Sequence, residues 1–425
     1  MRAWGALKLI AIVMILVSVI LFIFSAVTLW WTMHAWRTPE TLAATRFAAP
    51  DGEQHLTFSL LVPARHEQAV LERTVRRLLE STHEGFEIIV IVGHDDPETA
   101  EVAERVARTA PGRILVVTDH NEVKNKPRAL NTALPYARGD VVGVFDAEDE
   151  VHPALLEHVD HAFRATGADV VQGGVQLINF HSSWYSLHNC LEYFFWFRSR
   201  LHLHAEKGFI PLGGNTVFVR TDVLRLANGW DGTCLAEDCD LGVRLSSRGA
   251  KVVVAYDSTI VTREETPHSL SAMLKQRTRW NQGFLQVLRK GEWRRLPAFG
   301  QRMLARYTLT GPFVQAFAGL AIPLGVGVAF VADLPVGVAL ITFLPVLPMA
   351  ANLVFQIIGL RDFGLQYGLR IGIKDYARLI IGLFPFGVVL SVAALRAIWR
   401  EYTGQRNWEL TAHVGAHLRE AEATV

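Results

Sequence analysis

The chain has 425 residues, half of them hydrophobic and only 20% charged, a balance richer in apolar residues than soluble domains usually show. Its formal net charge of +1 argues against nucleic acid as the main partner, because phosphate binding leaves a strongly basic footprint. The three cysteines, Cys190, Cys234 and Cys239, have neither the even count of a disulfide framework nor the spacing of a zinc cluster; they read as small buried residues in a reducing compartment.

The first element in chain order is an apolar run over residues 9–36, which contains no Asp, Glu, Lys or Arg. About 20 such residues cross ~30 Å of hydrocarbon, and a secretory signal core is shorter, roughly 7 to 15 residues. With Trp30 and Trp31 placed for an interfacial belt, the run is expected to be a retained anchor. Residues 56–260 then alternate short β-rich runs with helical stretches. Strands are predicted at 57–62, 87–92, 113–118, 140–145, 169–175, 216–219 and 251–255. Helices are predicted at 67–80, 97–108, 127–136, 153–165 and 239–247. This alternation predicts an α/β fold with a mostly parallel sheet covered on both faces. An amphipathic stretch follows at 269–290, then three apolar runs at 307–332, 334–360 and 379–395, the last at the short limit for a span. Asp333 reads as a hairpin turn outside the bilayer, since at mid-bilayer it would cost ~3 kcal/mol.

In such sheets ligands bind beyond the carboxyl ends of the strands, and there the polar residues gather. Pro63-Ala64-Arg65-His66-Glu67 follows the first strand, His94-Asp95-Asp96 the second, Lys124-Asn125-Lys126 the third and Asp146-Ala147-Glu148-Asp149 the fourth. A sugar diphosphate needs a divalent cation against its pyrophosphate, and hard cations prefer carboxylate oxygens, which Asp146 with Glu148 or Asp149 could supply. A solvated acidic turn explains the same tetrapeptide. Lys126 could meet donor phosphates, and Asp95 and Asp96 could bind base or ribose, although Asp-Asp-Pro is also an ordinary helix start. Gly213-Gly214-Asn215 permits close backbone approach to a sugar, or is a plain turn. Glu237-Asp238 opens a helix, where a carboxylate stays ionised at the positive end of the dipole and could take a proton from a sugar hydroxyl; capping explains it equally. Gln276, Arg279 and Trp280 share a helical face, with Arg279 suited to a leaving pyrophosphate and Trp280 to a sugar ring. The same helix could instead lie on anionic lipid.

The order and context of these segments resemble the membrane-integrated family 2 inverting glycosyltransferases, such as the cellulose, chitin and hyaluronan synthases. The resemblance covers roughly residues 56–290 and rests on VPARHE at 62–67, KPRALNTAL at 126–134, FDAED at 145–149, GGNTVFVR at 213–220, GWDGTCLAEDCDLGVRL at 229–245 and QRTRWNQG at 276–283. It implies a GT-A type, Rossmann-like nucleotide-sugar domain with transmembrane helices at both ends. It also implies Mg2+ or Mn2+ on Asp146 and Glu148 or Asp149, a catalytic base at Asp238 beside Glu237, and donor contacts from Ala64, Glu67, Asp95, Asp96, Lys126, Asp146 and Arg279. The acceptor contacts it implies are Gly214, Asn215, Gln276 and Trp280. Ala236 stands where the family usually has threonine, Glu148 where a second aspartate is commonest, and the acidic pair after the second strand is displaced to Asp95 and Asp96. Trp408 to His413 loosely resembles a segment near the active site of some relatives.

The expected organisation is an anchor at 1–40, a cytosolic catalytic domain at 41–265, interface helices at 266–305, a membrane region at 306–400 and a tail at 401–425. The enzyme is expected as a multi-pass protein of the plasma (inner) membrane. It would move a sugar from a nucleotide-sugar donor, UDP-linked as the first expectation, to a growing polysaccharide that it threads through the bilayer. Single transfer to a lipid is the alternative among enzymes, and a non-catalytic assembly or transport partner the alternative outside them. Topology is in tension: three spans after the domain would put the tail outside, whereas Arg396, Arg400 and Arg406 favour an inside tail.

Overall fold

The computed structural model of the protein describes residues 2–36, 54–331 and 336–409, so the predicted turn at Asp333 and the segment beyond Glu409 lie outside the described residues. Helix α1 (Arg2–His34) carries the first apolar run. There follow β1 (Phe58–Ala64), α2 (Leu71–Leu79), β2 (Phe86–Gly93), α3 (Pro97–Ala107), β3 (Ile114–Asp119), α4 (Lys126–Ala133), β4 (Val141–Val144), α5 (Leu155–Thr166), β5 (Val170–Gly173) and β6 (Val175–Leu177). Helix α6 (Ser186–Phe195) continues through a π-helical turn (Trp196–Arg200) into α7 (Leu201–Glu206). Then come β7 (Val217–Arg220), α8 (Thr221–Leu226), α9 (Glu237–Ser247), β8 (Val252–Ala255) and β9 (Thr262–Glu264). The remainder is helical: α10 (Leu270–Lys290), α11 (Phe299–Leu309), α12 (Gly311–Val331), α13 (Val336–Thr342), α14 (Val346–Gln366) and α15 (Ile373–Tyr402).

Seven strands form one sheet in the order β3-β2-β1-β4-β7-β5-β8, with only β7 antiparallel to its neighbours. Successive residues of β1 feed opposite faces: Phe58, Leu60 and Val62 pack with α2, α3 and α5, while Leu61 packs with α4 and α9. Every one of these positions is apolar because both faces are covered, which leaves no polar side to alternate with. The strand order reverses between β1 and β4, so their carboxyl ends open the crevice where such sheets bind ligands.

Three differences from the sequence reading affect the site. The predicted strand at 169–175 breaks at Gly174, where a side chain would come within 2.9 Å of Tyr256 and Val261, and its end pairs instead with β9, a three-residue strand without an apolar signature. Helix α2 starts four residues later than predicted, because His66 has a left-handed φ of 58° and turns the chain after β1. The amphipathic stretch does not lie bare on lipid: Met273, Arg277, Gln282 and Gly283 of α10 are buried, with α15 packed against the helix.

Four described segments are long and apolar enough to cross a membrane: Leu9–His34, Gly311–Val328, Val336–Gln366 and Ile373–Tyr402. The run predicted at 379–395 is therefore the middle of a 30-residue helix rather than a minimal span. Helices α1 and α14 run side by side in the same direction, with Thr32 Oγ1 donating to Asn352 and Trp36 Nε1 donating to Asp362. Helix α12 runs the other way, its start joined to α1 through Tyr307, whose ring meets Trp31 edge-on at 5.1 Å.

Candidate active site

The crevice beyond β1 and β4 opens into a cavity of about 900 Å³ that continues between the apolar helices. Backbone geometry brings its polar wall together. Asn125 caps α4 by accepting from Arg128 N, which fixes Lys126 at the first helical position, and the Lys126 ammonium reaches both the Asp146 carboxylate beyond β4 and the Gly214 carbonyl (2.7 Å) before β7. Because β7 is antiparallel to β4, its entry loop lies beside the exit of β4, and a chain segment nearly 70 residues away in sequence joins the acidic turn. The Asp238 carboxylate stands over the same loop, 3.2 Å from where a side chain on Gly214 would begin. A side chain at position 214 would thus crowd the Asp238 carboxylate.

The acidic turn divides its labour. Asp146 and Glu148 line the cavity, whereas Asp149 is turned inward, accepting from Asp146 N at 2.8 Å and from Asn215 Nδ2 at 3.0 Å. Asn215 also donates to Glu264 on β9, so it holds Asp149 and Glu264 together while its own edge lines the cavity. Burial, followed by the nearby carboxylates Glu264, Asp146 and Glu148, pushes the Asp149 carboxyl well above the usual range. Of the two aspartate-like candidates for the second cation ligand, the geometry leaves Glu148 facing the cavity. No group of three His, Cys, Asp or Glu among the described residues is arranged to hold a metal. Two cavity-facing carboxylates are nevertheless the donor set that suits Mg2+ or Mn2+ when a diphosphate and water complete its shell, so the residues fit the ion.

Glu237 and Asp238 open α9 at the cavity wall. Burial and the neighbouring Asp238 charge raise Glu237 to about 7, against the pull of Lys126 and Arg279. Burial also raises Asp238, opposed by the backbone N–H of Cys239 and by Lys126 and Arg279. Lys126 is held protonated: its burial works against the charge, but Asp146 and Glu237 outweigh it. Cations and carboxylates thus alternate across the site, an arrangement that keeps each group poised.

Helix α10 supplies the opposite wall. Arg279 donates weakly to the Leu235 carbonyl at 3.5 Å and lies 4.6 Å over the Trp408 ring, so the segment resembling relatives' post-membrane loop does reach the site as far as Glu409. Gln276 lines the cavity with a buried Oε1 that has no hydrogen-bond partner among the described residues. Trp280 is clamped between Tyr193 (6.2 Å) and the Arg277 guanidinium (4.5 Å), and Arg277 is anchored by Glu192 at 2.8 Å and by Asn189.

Among the candidate donor contacts, Ala64, Glu67, Lys126, Asp146 and Arg279 line the cavity, and Asp95 and Asp96 do not. Asp96 caps α3, accepting from Thr99 N, and also accepts from His66 N at 2.6 Å; Asp95 pairs with Arg65 at 2.9 Å. The helix-start alternative thus describes Asp96, whereas Asp95 is taken up by Arg65 of the loop after β1. Sequence reasoning did not single out Glu192 and Tyr193 of α6 or Trp196 and Arg200 of the π-helical turn after it, all of which line the cavity. The aromatic run at 193–197 was their available signal.

A profile described as "Glycosyltransferase like family 2" matches residues 55–283. The beta-monoglucosyldiacylglycerol synthase of Trichormus variabilis is 27% identical over 232 residues, covering 54% of this chain and 49% of that protein. The poly-beta-1,6-N-acetyl-D-glucosamine synthase of Staphylococcus aureus (strain COL) is 26% identical over 251 residues, covering 56% of each. The chain spans about half the length of the curated relatives it matches. A mannosyltransferase of Pyrobaculum calidifontis, solved with GDP-Man and Mn2+, superposes over 92% of this chain and 99% of its own with a TM-score of 0.53 at 16% identity, a likeness of GT-A fold.

Proposed function

The chain belongs to glycosyltransferase family 2, and from that premise we propose that it transfers a sugar from a nucleotide-sugar, with inversion, to a lipid acceptor in the membrane. One observation carries the choice of acceptor. The cavity that holds Asp146 and Asp238 continues into a gap walled by Phe24 of α1, Val314 and Ile322 of α12, Met349 of α14 and Phe384 of α15. Acyl chains fit such a wall, whereas a polysaccharide would bring a row of hydroxyls to it that must be hydrogen-bonded. The relative that makes monoglucosyldiacylglycerol is in keeping with this reading. The polysaccharide acceptor expected from sequence keeps one observation on its side, the aromatic faces of Tyr193, Trp196 and Trp280 in the same cavity.

In the proposed reaction an acceptor hydroxyl lies against Trp280, with Gln276 Oε1 free to accept a sugar or lipid hydroxyl. Asp238 takes the hydroxyl proton as the oxygen bonds to the anomeric carbon, and the bond to the donor phosphate breaks on the opposite face, its electron pair leaving with the nucleoside diphosphate. Lys126 and Arg279 offset the charge that develops on that leaving group. Asp146 and Glu148 would hold Mg2+ or Mn2+, which supplies further neutralisation of the diphosphate when bound. UDP-sugars remain the first donors to test, with GDP-sugars beside them.

The catalytic domain is proposed to face the cytosol, where activated sugars are made, with α1, α12 and the α13–α14 pair crossing the membrane. Helix α15 is proposed to lie along the interface, because both of its ends rest on the catalytic side. Near its start Asp375 meets His181 at 3.1 Å and Arg378 donates to the Ser183 carbonyl at 2.6 Å; at its end Glu401 accepts from Gln282 at 3.3 Å. Exposed apolar residues of the same helix outside the cavity, Ile381, Val392 and Trp399, suit a lipid surface. This puts the tail inside with Arg396 and Arg400, and removes the tension between span count and charge. The expected division at 41–265, 266–305 and 306–400 is kept as part of the proposal, α15 being moved from span to interface.

The test is nucleoside diphosphate release by the bilayer-embedded protein, offered UDP- and GDP-sugars with Mg2+ or Mn2+, followed by sizing and extraction of the product. A small lipid-soluble product is the expected result. A high-mass, glycosidase-sensitive product returns the reading to a polymerase, and the absence of both release and nucleotide binding overturns the enzymatic reading.

A further inference from the structure

We propose that Arg200 forms a binding site for the phosphate of a lipid headgroup, at the level where the catalytic cavity enters the apolar helices. The inference rests on the lipid-acceptor reading and names the class of lipid.

Arg200 ends the π-helical turn that joins α6 to α7, and that turn sets Trp196, Arg200 and His204 along one wall of the cavity. Its guanidinium lies 4.2 Å from the ring of Trp31 on α1 and 5.6 Å from the ring of Trp196. Two aromatic rings hold the guanidinium by cation–π contact, and a guanidinium can meet phosphate oxygens in a fork. No carboxylate or carbonyl pairs with it among the described residues, in contrast to its neighbours on the cavity wall: Arg277 has Glu192 and Asn189, and Arg279 has the Leu235 carbonyl. The nearest carboxylate acting on this cation is Glu192, which Arg277 holds at 2.8 Å, so among Trp31, Trp196 and Tyr307 the guanidinium gains from an anion that meets it directly.

Its position fits a headgroup. Arg200 lies seven residues beyond Tyr193, the neighbour of Trp280, which is roughly 10 Å along a helix at 1.5 Å per residue. On its other side the cavity wall becomes Phe24, Val314 and Ile322. A phosphate at Arg200 would leave the chains of the lipid in that apolar gap and point the rest of the headgroup toward Asp238.

Glycerophospholipids and prenyl phosphates share this chemistry. The experiment uses full-length protein in mild detergent and measures the affinity of dihexanoyl phosphatidic acid, farnesyl phosphate, inorganic phosphate and dihexanoylglycerol, for wild type, Arg200→Gln and Arg200→Lys. The phosphate lipids are expected to bind at least tenfold more tightly than dihexanoylglycerol. Arg200→Gln should abolish that preference, Arg200→Lys should keep part of it, and nucleotide affinity should be unchanged in both, which reports an intact fold. Which of phosphatidic acid and farnesyl phosphate binds more tightly identifies the source. Equal binding of dihexanoylglycerol, equal binding of inorganic phosphate, or an Arg200→Gln protein with wild-type lipid affinity would each overturn the proposal. Binding and product are read separately. A polymeric product alongside Arg200-dependent lipid binding refutes the lipid-acceptor reading alone, and a lipid product made equally well by Arg200→Gln refutes this inference alone.

Discussion

Gly283 of α10 offers the sharpest test of how the proposed catalytic carboxylates, Glu237 and Asp238, are held. A Cβ built there would sit 2.4 Å from the Cβ of Ala236, 2.6 Å from its backbone nitrogen and 3.0 Å from its Cα. Ordinary contacts between such atoms are about 3.5–4.0 Å, so Gly283→Ala must push α10 and the start of α9 apart by about 1 Å. The helix itself gains about 1 kcal/mol from losing a glycine, and overpacking costs about 1–3 kcal/mol, so the net loss of stability is expected to be small. Activity is another matter, because Ala236 directly precedes Glu237 and Asp238, and a 1 Å misplacement of reacting groups costs on the order of 10²-fold, about 2.7 kcal/mol. Nucleotide affinity should fall far less than turnover, since Lys126, Asp146 and Glu148 belong to α4 and to the turn after β4 and only Arg279 is carried on α10. The assay is nucleoside diphosphate release by bilayer-embedded protein, with nucleotide binding followed by calorimetry. Adding Ala236→Gly removes the closest clash and leaves the one with the backbone nitrogen, so it should restore activity only in part. Turnover of Gly283→Ala within about threefold of wild type would refute the argument that this contact positions the base.

Asp238→Asn should lower transfer by the roughly 10²–10⁴-fold that general bases contribute while leaving cation-dependent nucleotide binding nearly intact; normal turnover removes Asp238 from the role. Burial raises Asp238, and Glu237 is raised to about 7, so the base is lost to protonation at unusually high pH. Transfer should therefore begin to fall, as pH drops, while still above the usual carboxylate range, and Glu237→Gln, by deleting a neighbouring negative charge, should move that fall to lower pH; a profile that rises toward acid contradicts the assignment. Asp146→Asn combined with Glu148→Gln should weaken nucleotide binding in Mg2+ or Mn2+, and unchanged affinity would put the cation elsewhere. Arg277→Met removes the cation held 4.5 Å over Trp280 and should raise the acceptor KM on the order of tenfold with the donor KM steady, since such contacts are worth ~0.5–2 kcal/mol. Equal changes in both constants would point to general loss of structure.

Much of the sheet was readable because parallel strands covered on both faces are continuous apolar runs, as in β1 and β2. The strand β9 was not, because Thr-Arg-Glu carries no apolar pattern and exists only through its pairing with β6. The limits of α15 were hidden for a related reason. Lys374, Asp375, Arg396 and Arg400 look like the borders of a span, yet the helix continues through them because Asp375 meets His181, and Arg396 and Arg400 meet Glu409. Spacing brought Gln276, Arg279 and Trp280 to one face, but it could not show that Arg277 fixes the tryptophan, since that depends on Glu192 and Asn189 some 85 residues earlier. The choice between Glu148 and Asp149 likewise turned on Asn215, a partner that no local pattern reveals.

The pairing of α1 with α14 also bears on how the protein is made. Thr32 and Asn352 are separated by 320 residues, and at roughly 5–20 residues per second the ribosome needs tens of seconds to supply the second after the first. During that interval, in the membrane arrangement proposed above, α1 waits without Asn352, and Thr28 and Thr32 can satisfy their hydroxyls on the helix's own carbonyls, as they do at 2.9 Å, while the catalytic domain folds behind it. The contacts of α1 with α14 thus become available long after those of Trp31 with Ser199 and Arg200, and the apolar cavity wall that α1 shares with α12 and α14 closes only once α14 has been made.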